Sequence, residues 1–239
     1  MSELQIAERL RQVEEEVAQA VAESGREPGS VTLVAVSKTR SVAEIMEAVS
    51  AGALDLGENY AQEMMAKHDE IASAELSEDP RWHYIGHLQR NKAKYLVTFC
   101  ALIHSVDSVR LIDELDRRAE QIERRQPVLL QIDLAGEETK FGAAEDELGE
   151  LVEAVEGADY LDWQGLMCIA PYSEDPESGR QYYRRLRELR DGLAEEGVAA
   201  ENLRHLSMGM TSDYQVAIAE GATIVRVGQA IFGPREYHK

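Results

Sequence analysis

Long apolar runs, paired cysteines and positive charge are what this 239-residue sequence has least of. No apolar stretch approaches the roughly 18 residues needed to span a bilayer. The opening MSELQIAERL is charged and amphipathic, without the apolar core of a secretory signal, so a soluble, cytoplasmic protein is expected. The two cysteines, Cys100 and Cys168, stand singly in apolar surroundings with no CxxC pair, which reads as two buried, reduced thiols. Only 25 Lys and Arg stand against 45 Asp and Glu, a formal net charge of −20. A field of that sign repels nucleic acid and anionic membranes, so neither is an expected partner. It also means that a phosphorylated ligand needs a well-made local anion site. HExxH is absent, and His83 and His87 have no evident carboxylate partner, so no metal site is expected. No Pro/Gly/Ser-rich linker divides the chain, and residues 1–239 read as one domain.

What is present is a repeated pattern: a short β-rich run, a turn, then an amphipathic helix. A leading helix carries Leu10, Val13, Val17 and Val21 at helical spacing. VTLVAVS is the first strand, and Ser41 with Glu44 forms a capping box opening the next helix. Seven further strands follow: ALDLGEN, WHYIG, ALIHSV, PVLLQIDLA, LDWQGLMCIA, NLRHLSMG and TIVRVG, with AIFG closing the chain. Helices are expected between them, among them Gln89–Val97, Ser108–Arg125 and an Arg/Glu helix with Arg184, Arg185, Arg187 and Arg190 on a solvent surface. Arg90–Lys94 reads as a solvated helix face, and Trp82 and Trp163 as core or rim anchors. Eight alternating β/α units favour a closed parallel barrel over an open sheet.

Barrel active sites lie where strands end, and the odd polar residues collect there. Ser37-Lys38-Thr39 ends the first strand, Gly57-Glu58-Asn59-Tyr60 the second and Gly86-His87-Leu88-Gln89 the third. Lys140-Phe141-Gly142 follows the fifth, Met167–Pro171 ends the sixth, Ser207–Ser212 the seventh and Arg226–Gln229 the eighth. Lys38 is the sharpest feature. A lysine in a partly desolvated mouth loses proton affinity, and its amine can attack an aldehyde to form a Schiff base. Position alone favours a solvated lysine at a strand end. Barrels frequently bind phosphate with the loops after strands seven and eight, which here supply glycines, hydroxyls and a helix start. Thr211 or Ser212 would also serve as ordinary helix caps. A reactive lysine facing a phosphate cup is what pyridoxal phosphate requires, because its aldehyde and phosphate leave different sides of the ring.

On these residues the chain resembles a known family. LVAVSKTR, LGENYAQE, WHYIGHLQRNK, LLQIDLAGEETKFG, GLMCIAP and LSMGMTSDYQVAIAEGATIVRVGQAIFG extend from about Val31 to Gly233 and are similar to the YggS/PROSC family of pyridoxal-phosphate-binding proteins. The resemblance implies an α/β fold: a single (β/α)8 TIM barrel of the alanine racemase N-terminal type, with an extra N-terminal helix. It implies Lys38 as the Schiff-base lysine and Ser207, Gly209, Thr211, Ser212 and Gly228 as phosphate binders. Arg226 would approach the pyridine nitrogen, and Asn59, Met167 and His205 are candidates for lining the ring. An arginine there, unlike a carboxylate, disfavours protonation of the ring and weakens its electron sink. A racemase also needs an acid/base on the opposite substrate face, which in alanine racemase comes from an additional C-terminal domain. No such domain is expected in a chain ending at Lys239, although Tyr60 or His87 are conceivable substitutes. The resemblance therefore implies a non-catalytic protein of intracellular vitamin B6 homeostasis, with apo-enzymes as possible recipients of the cofactor, as a monomer or weak dimer. The alternatives are a weak racemase or lyase on small amino acids, and a phosphosugar barrel with Lys38 as an aldolase-type base.

Overall fold

The computed structural model describes residues 5–74, 76, 78–136 and 141–234. Eight parallel strands form the barrel: β1 (Thr32–Val36), β2 (Asp55–Glu58), β3 (Arg81–Tyr84), β4 (Leu102–Val106), β5 (Gln126–Asp133), β6 (Leu161–Met167), β7 (His205–Met210) and β8 (Ile224–Val227). They pair in the order β4-β3-β2-β1-β8-β7-β6-β5, and β4 also pairs with β5, which closes the ring. A two-residue bridge, Ala143–Ala144, adds to the end of β5. The helices are α1 (Ile6–Glu23), α2 (Val42–Ser50), α3 (Ala61–Ala72), α4 (Ala93–Leu96), α5 (Val109–Glu120), α6 (Leu148–Glu156), α7 (Arg180–Glu195), α8 (Tyr214–Ala219) and α9 (Gln229–Phe232). The closed barrel and the leading helix expected from the sequence are both present. No helix among the described residues is long and apolar enough to cross a membrane.

Strand alternation divides the apolar residues between two cores. Leu56, Ile103, Leu130, Leu166, Leu206 and Val225 face outward and pack under the helices. Val34, Leu102, Leu129, Met167 and Ile224 fill the barrel interior. Gly57 makes room inside: a Cβ there would lie 2.8 Å from Val34 Cγ1 and 3.5 Å from Val36 Cγ2. Trp82 and Trp163 are buried, as expected of core anchors. Cys100 and Cys168 are buried and unpaired, and burial pushes each thiol up to about 12.

Local chemistry sets the helix ends. Ser41 caps α2 by accepting from the Glu44 N–H, while the Glu44 carboxylate accepts from the Ser41 N–H at 2.8 Å. The helix expected over Gln89–Val97 is shorter, because its first turn is a 3₁₀ turn (Arg90–Lys92) and only Ala93–Leu96 is α-helical. The helix expected to reach Arg125 stops at Glu120. Glu123 turns with φ +51°, and the Arg124 side chain donates to the carbonyls of Val97 and Cys100 at 2.5 and 2.9 Å. The first three residues of AIFG lie in the short helix α9, and Gly233 is its C-cap. The expectation of a solvent-facing Arg/Glu helix is corrected in part. Arg180, Arg184 and Arg187 of α7 converge on buried Glu220, whereas Arg185 turns outward to Glu145. Because α9 has only four residues, α1 helps to cover the seam between β1 and β8, packing on α2, α8 and α9. Arg9 Nε donates to the Ile231 carbonyl at 2.6 Å across that contact.

Candidate functional site

The mouth of the barrel is built from the C-terminal ends of the strands. Ladder pairing continues past β1, where the Ser37 N–H donates to the Gly57 carbonyl at 2.9 Å. The Ser37 hydroxyl leaves the outer face and donates to Glu58 Oε1 at 2.7 Å. The same alternation turns Lys38, which is half-buried, toward the mouth. Thr39 follows with φ +66°, a strained backbone for a β-branched residue.

This strained turn is gripped from outside. Lys67 of α3 is buried and donates to the Ser37 carbonyl at 2.7 Å, to Glu58 at 2.6 Å and to Glu63 at 2.7 Å. Glu63 in turn accepts from the Thr39 N–H at 2.5 Å. Burial pushes the Glu58 carboxyl above its ordinary range, against the pull of Lys67 and Ser37. The backbone on both sides of Lys38 is thus fixed by one ionic cluster. Glu58 was visible in sequence only as part of a strand end, and Lys67 and Glu63 only as an i, i+4 pair on a helix.

The last two strands supply the facing wall. β1 pairs with β8 so that Val34 stands level with Arg226 and Ala35 with Val227. Arg226 is 4% exposed inside the barrel. Its Nη1 donates to Ser207 Oγ at 2.5 Å and its Nη2 to the Cys168 carbonyl at 2.9 Å, both neutral acceptors. Gly228 lies against β1, where a Cβ would come within 3.2 Å of the Val36 carbonyl oxygen. Its N–H donates to Thr211 Oγ1 at 3.3 Å, tying the loops after β7 and β8 together. Gly209 has φ +89°, and a Cβ on it would sit 2.5 Å from that of Ala217, so glycine lets this loop close onto α8. Ser212 is exposed beside them. The Met210 N–H is bound by Asp213 at 2.7 Å.

The structure therefore brings Lys38, Arg226, Thr211 and Gly228 to one wall, with Gly209 near the end of β7 and Ser212 in the loop that follows it. Ser207, expected with the phosphate group, sits elsewhere: its hydroxyl is engaged by Arg226 and by His104 Nδ1 at 2.8 Å, in the barrel interior. His205, expected to line the ring, opens β7 rather than ends it. Its Nδ1 meets Thr223 Oγ1 at 3.2 Å, on the floor side of Ser207. Burial, with Arg204 and His83 nearby, lowers its imidazole from the ordinary value. Met167 is fully buried in the inner core. Asn59 lines a cleft of about 470 Å³ at the mouth, together with Gly86, His87, Gln131, Phe141 and Ile169. Its Oδ1 is buried without a hydrogen-bond partner. Lys140 lies outside the described residues.

Two histidines said to lack carboxylate partners have them. His83 Nε2 lies 2.9 Å from Asp55 Oδ1, and His87 Nδ1 lies 3.5 Å from Asp107 Oδ2 while its ring stacks on Phe141. The partners come from neighbouring strands and loops, so sequence spacing could not reveal them. Among the described residues no group of three His, Cys, Asp or Glu side chains could hold a metal.

Residues 9–236 match the family model described as alanine racemase, N-terminal domain. The chain is 44% identical over 230 residues to the pyridoxal phosphate homeostasis protein of Aquifex aeolicus, covering 96% of this chain and 98% of the relative. The chain belongs to the pyridoxal phosphate homeostasis protein family. The Escherichia coli member of the family is 38% identical, with 98% of each chain covered. A solved structure of PipY from Synechococcus elongatus with pyridoxal phosphate bound superposes with a TM-score of 0.79 at 36% identity, covering 91% of this chain and all of that one. An alanine racemase from Clostridium difficile shares the barrel at a TM-score of 0.71 and 13% identity, and this chain spans 58% of that longer one.

Proposed function

We propose that this protein holds pyridoxal phosphate at the barrel mouth, anchored covalently on Lys38, and acts in cytoplasmic vitamin B6 homeostasis as a reservoir for apo-enzymes rather than as a catalyst. The observation that carries this reading is Arg226. A guanidinium almost wholly removed from water, with only Ser207 and a carbonyl as hydrogen-bond partners, has no bonded counter-charge to offset its desolvation. Such a group is retained where a ligand needs a fixed cationic donor. Lys38 stands in the turn that follows the adjacent strand, and the joined loops of Thr211 and Gly228 follow β7 and β8. This donor set fits a ring with an aldehyde on one side and a phosphate on another.

Each residue has a definable part. Lys38 supplies the amine, and the Lys67 cluster keeps its turn in place. Thr211, Ser212, Gly228 and the first N–H groups of α9 receive phosphate oxygens. Gly209 lets the loop seat on α8. Asn59 offers its unpartnered oxygen at the rim. Met167 forms the apolar bed beneath. Arg226 presents N–H donors to the pyridine nitrogen. When bound, pyridoxal phosphate supplies an electron sink whose strength depends on protonation of that nitrogen. A permanent donor at this position opposes protonation, which favours holding over turnover.

The test is the visible spectrum of the protein with added pyridoxal phosphate, followed by borohydride reduction and mapping of the modified peptide. A yellow species fixed on the Lys38 peptide is expected, and Lys38→Ala should lose it while keeping reversible, phosphate-driven binding. A colourless protein would overturn the reading. Exchange of the α-proton of alanine or serine in deuterated water, dependent on the protein, would instead establish the racemase or lyase alternative.

A further inference from the structure

A line of buried polar side chains runs from Arg226 through the barrel to its floor. Arg226 Nη1 donates to Ser207 Oγ at 2.5 Å, and Ser207 Oγ lies 2.8 Å from His104 Nδ1. His104 Nε2 lies 2.9 Å from His83 Nδ1, and His83 Nε2 lies 2.9 Å from Asp55 Oδ1. Asp55 is held by Arg81 through two contacts of 2.8 and 2.7 Å. Ser207 and His104 are fully buried and His83 nearly so. The residues come from β8, β7, β4, β3 and β2, and Asp55 and Arg81 are the first residues of their strands, at the end opposite the mouth.

The two ends fix the direction of every bond. A guanidinium only donates, and a carboxylate only accepts. Burial alone would raise the Asp55 carboxyl, but hydrogen bonds from Arg81 and His83 and the charge of Arg81 hold it at about 2, so it is ionised. His83 therefore gives its Nε2–H to Asp55 and accepts at Nδ1. His104 gives its Nε2–H to His83 and accepts at Nδ1 from the Ser207 hydroxyl. Ser207 is left to accept from Arg226. Burial above all, with the Arg226 charge beside it, keeps the His104 imidazole well below its ordinary range, in agreement with the neutral ring this order requires. Reversing either histidine, or adding a proton to one, strands a buried hydroxyl hydrogen on Ser207 without an acceptor, which is costly.

We infer that Ser207, His104 and His83 are positioning residues that fix Arg226 beneath the cofactor ring, with Asp55 and Arg81 as their anchor at the floor. This deepens the cofactor reading above and rests on it. The Ser207 oxygen, polarised by donating to His104, is a stronger acceptor for Arg226 than an isolated hydroxyl would be. With Nη1 and Nη2 each tied to a fixed acceptor, the guanidinium plane is set and its remaining N–H groups are aimed. Among the described residues no carboxylate is hydrogen-bonded to it, Asp213 acting only through space, so its remaining N–H groups stay available to the ring.

Two measurements on the full chain test this. Nitrogen NMR of the histidine rings, without cofactor, should find His83 and His104 both neutral with the proton on Nε2. A proton on Nδ1 of either ring would overturn the directed chain. Titration of pyridoxal phosphate into His104→Gln and His104→Asn gives the second. The asparagine amide oxygen can take the place of Nδ1 and accept from Ser207, whereas glutamine reaches toward Nε2 and leaves Ser207 unserved. His104→Gln should weaken cofactor affinity about tenfold and displace the absorption maximum, and His104→Asn should restore both. Variants that both match the unmodified protein would overturn the positioning role while leaving the cofactor reading intact. A wild-type protein that forms no coloured adduct would overturn the cofactor reading, and the role built on it, independently of the tautomers.

Discussion

The two ends of the site are held by opposite means. The turn carrying Lys38 is fixed from outside the barrel by ions: Lys67 between Glu58 and Glu63, reaching the backbone of Ser37 and Thr39. Arg226 is fixed from inside by neutral groups, a hydroxyl and a carbonyl. The difference follows from where the working charge sits. At the first end the cluster acts on the backbone, and alternation leaves the Lys38 side chain on the other face, so full charge pairing among the supports costs the site nothing. At the second end the supported group is itself the charge to be presented. A carboxylate bonded to Arg226 would neutralise it, so its hydrogen bonds go to uncharged acceptors: among the described residues Asp213 acts on it only through space, and the carboxylate of the line, Asp55, stands at its far end.

The largest effect should come from breaking the ionic support. Lys67→Met leaves Glu58 and Glu63 without their cation, and a broken buried pair typically costs about 3–5 kcal/mol. Urea unfolding should show that loss, and Glu58→Met combined with Lys67→Met should recover part of it. A single variant within about 1 kcal/mol of wild type would mean that the cluster is no more than a surface pair. Ser207→Ala comes next. It strands one Arg226 donor and the His104 acceptor, for a loss of about 1–3 kcal/mol on the same assay. A neutral result would erase the contrast between the two ends. Acid unfolding probes the floor. The Asp55 pKa is depressed from 3.8 to about 2, so its contribution is fully present above pH 3.8 and disappears as the pH falls through about 2. Stability measured from pH 5 to 2 should fall less steeply in Asp55→Asn than in wild type. The smallest effect is expected of Arg81→Gln, because Arg81 is 51% exposed and a pair of that kind contributes about 0–1 kcal/mol.

Much of this arrangement was legible in the sequence. The eight strand ends were marked by breaks in apolar periodicity, and the capping box at Ser41 and Glu44 was readable because it is local. Lys38 and Arg226 stood out as charges at the ends of apolar runs. The line from Ser207 to Asp55 was hidden for a physical reason. Barrel closure brings together residues far apart in sequence, and His104 lies within ALIHSV, where a single histidine in an apolar strand carries no sign of what it faces. Ser207 was grouped with the phosphate loop because it opens the Ser207–Ser212 stretch, yet alternation along β7 turns it inward. His205 was placed too near the mouth for a related reason: strand direction puts the first residue of β7 at the floor. The ionic cluster behind Lys38 joins β1, β2 and α3, which sequence proximity suggests but burial alone establishes.

The pairing of β1 with β8 gives the site a place in the life of the chain. Lys38 follows the barrel's first strand and Arg226 belongs to its eighth, and Gly228 rests on the Val36 carbonyl across the join. A nascent or truncated chain that lacks the eighth strand has half a binding wall, whatever the state of the other seven. A molecule gripped by both strands works as a staple over the closure, so occupancy should protect the join against opening and against proteolysis. On the reading proposed above, competence to hold the cofactor would double as a report that the ring of eight strands has shut.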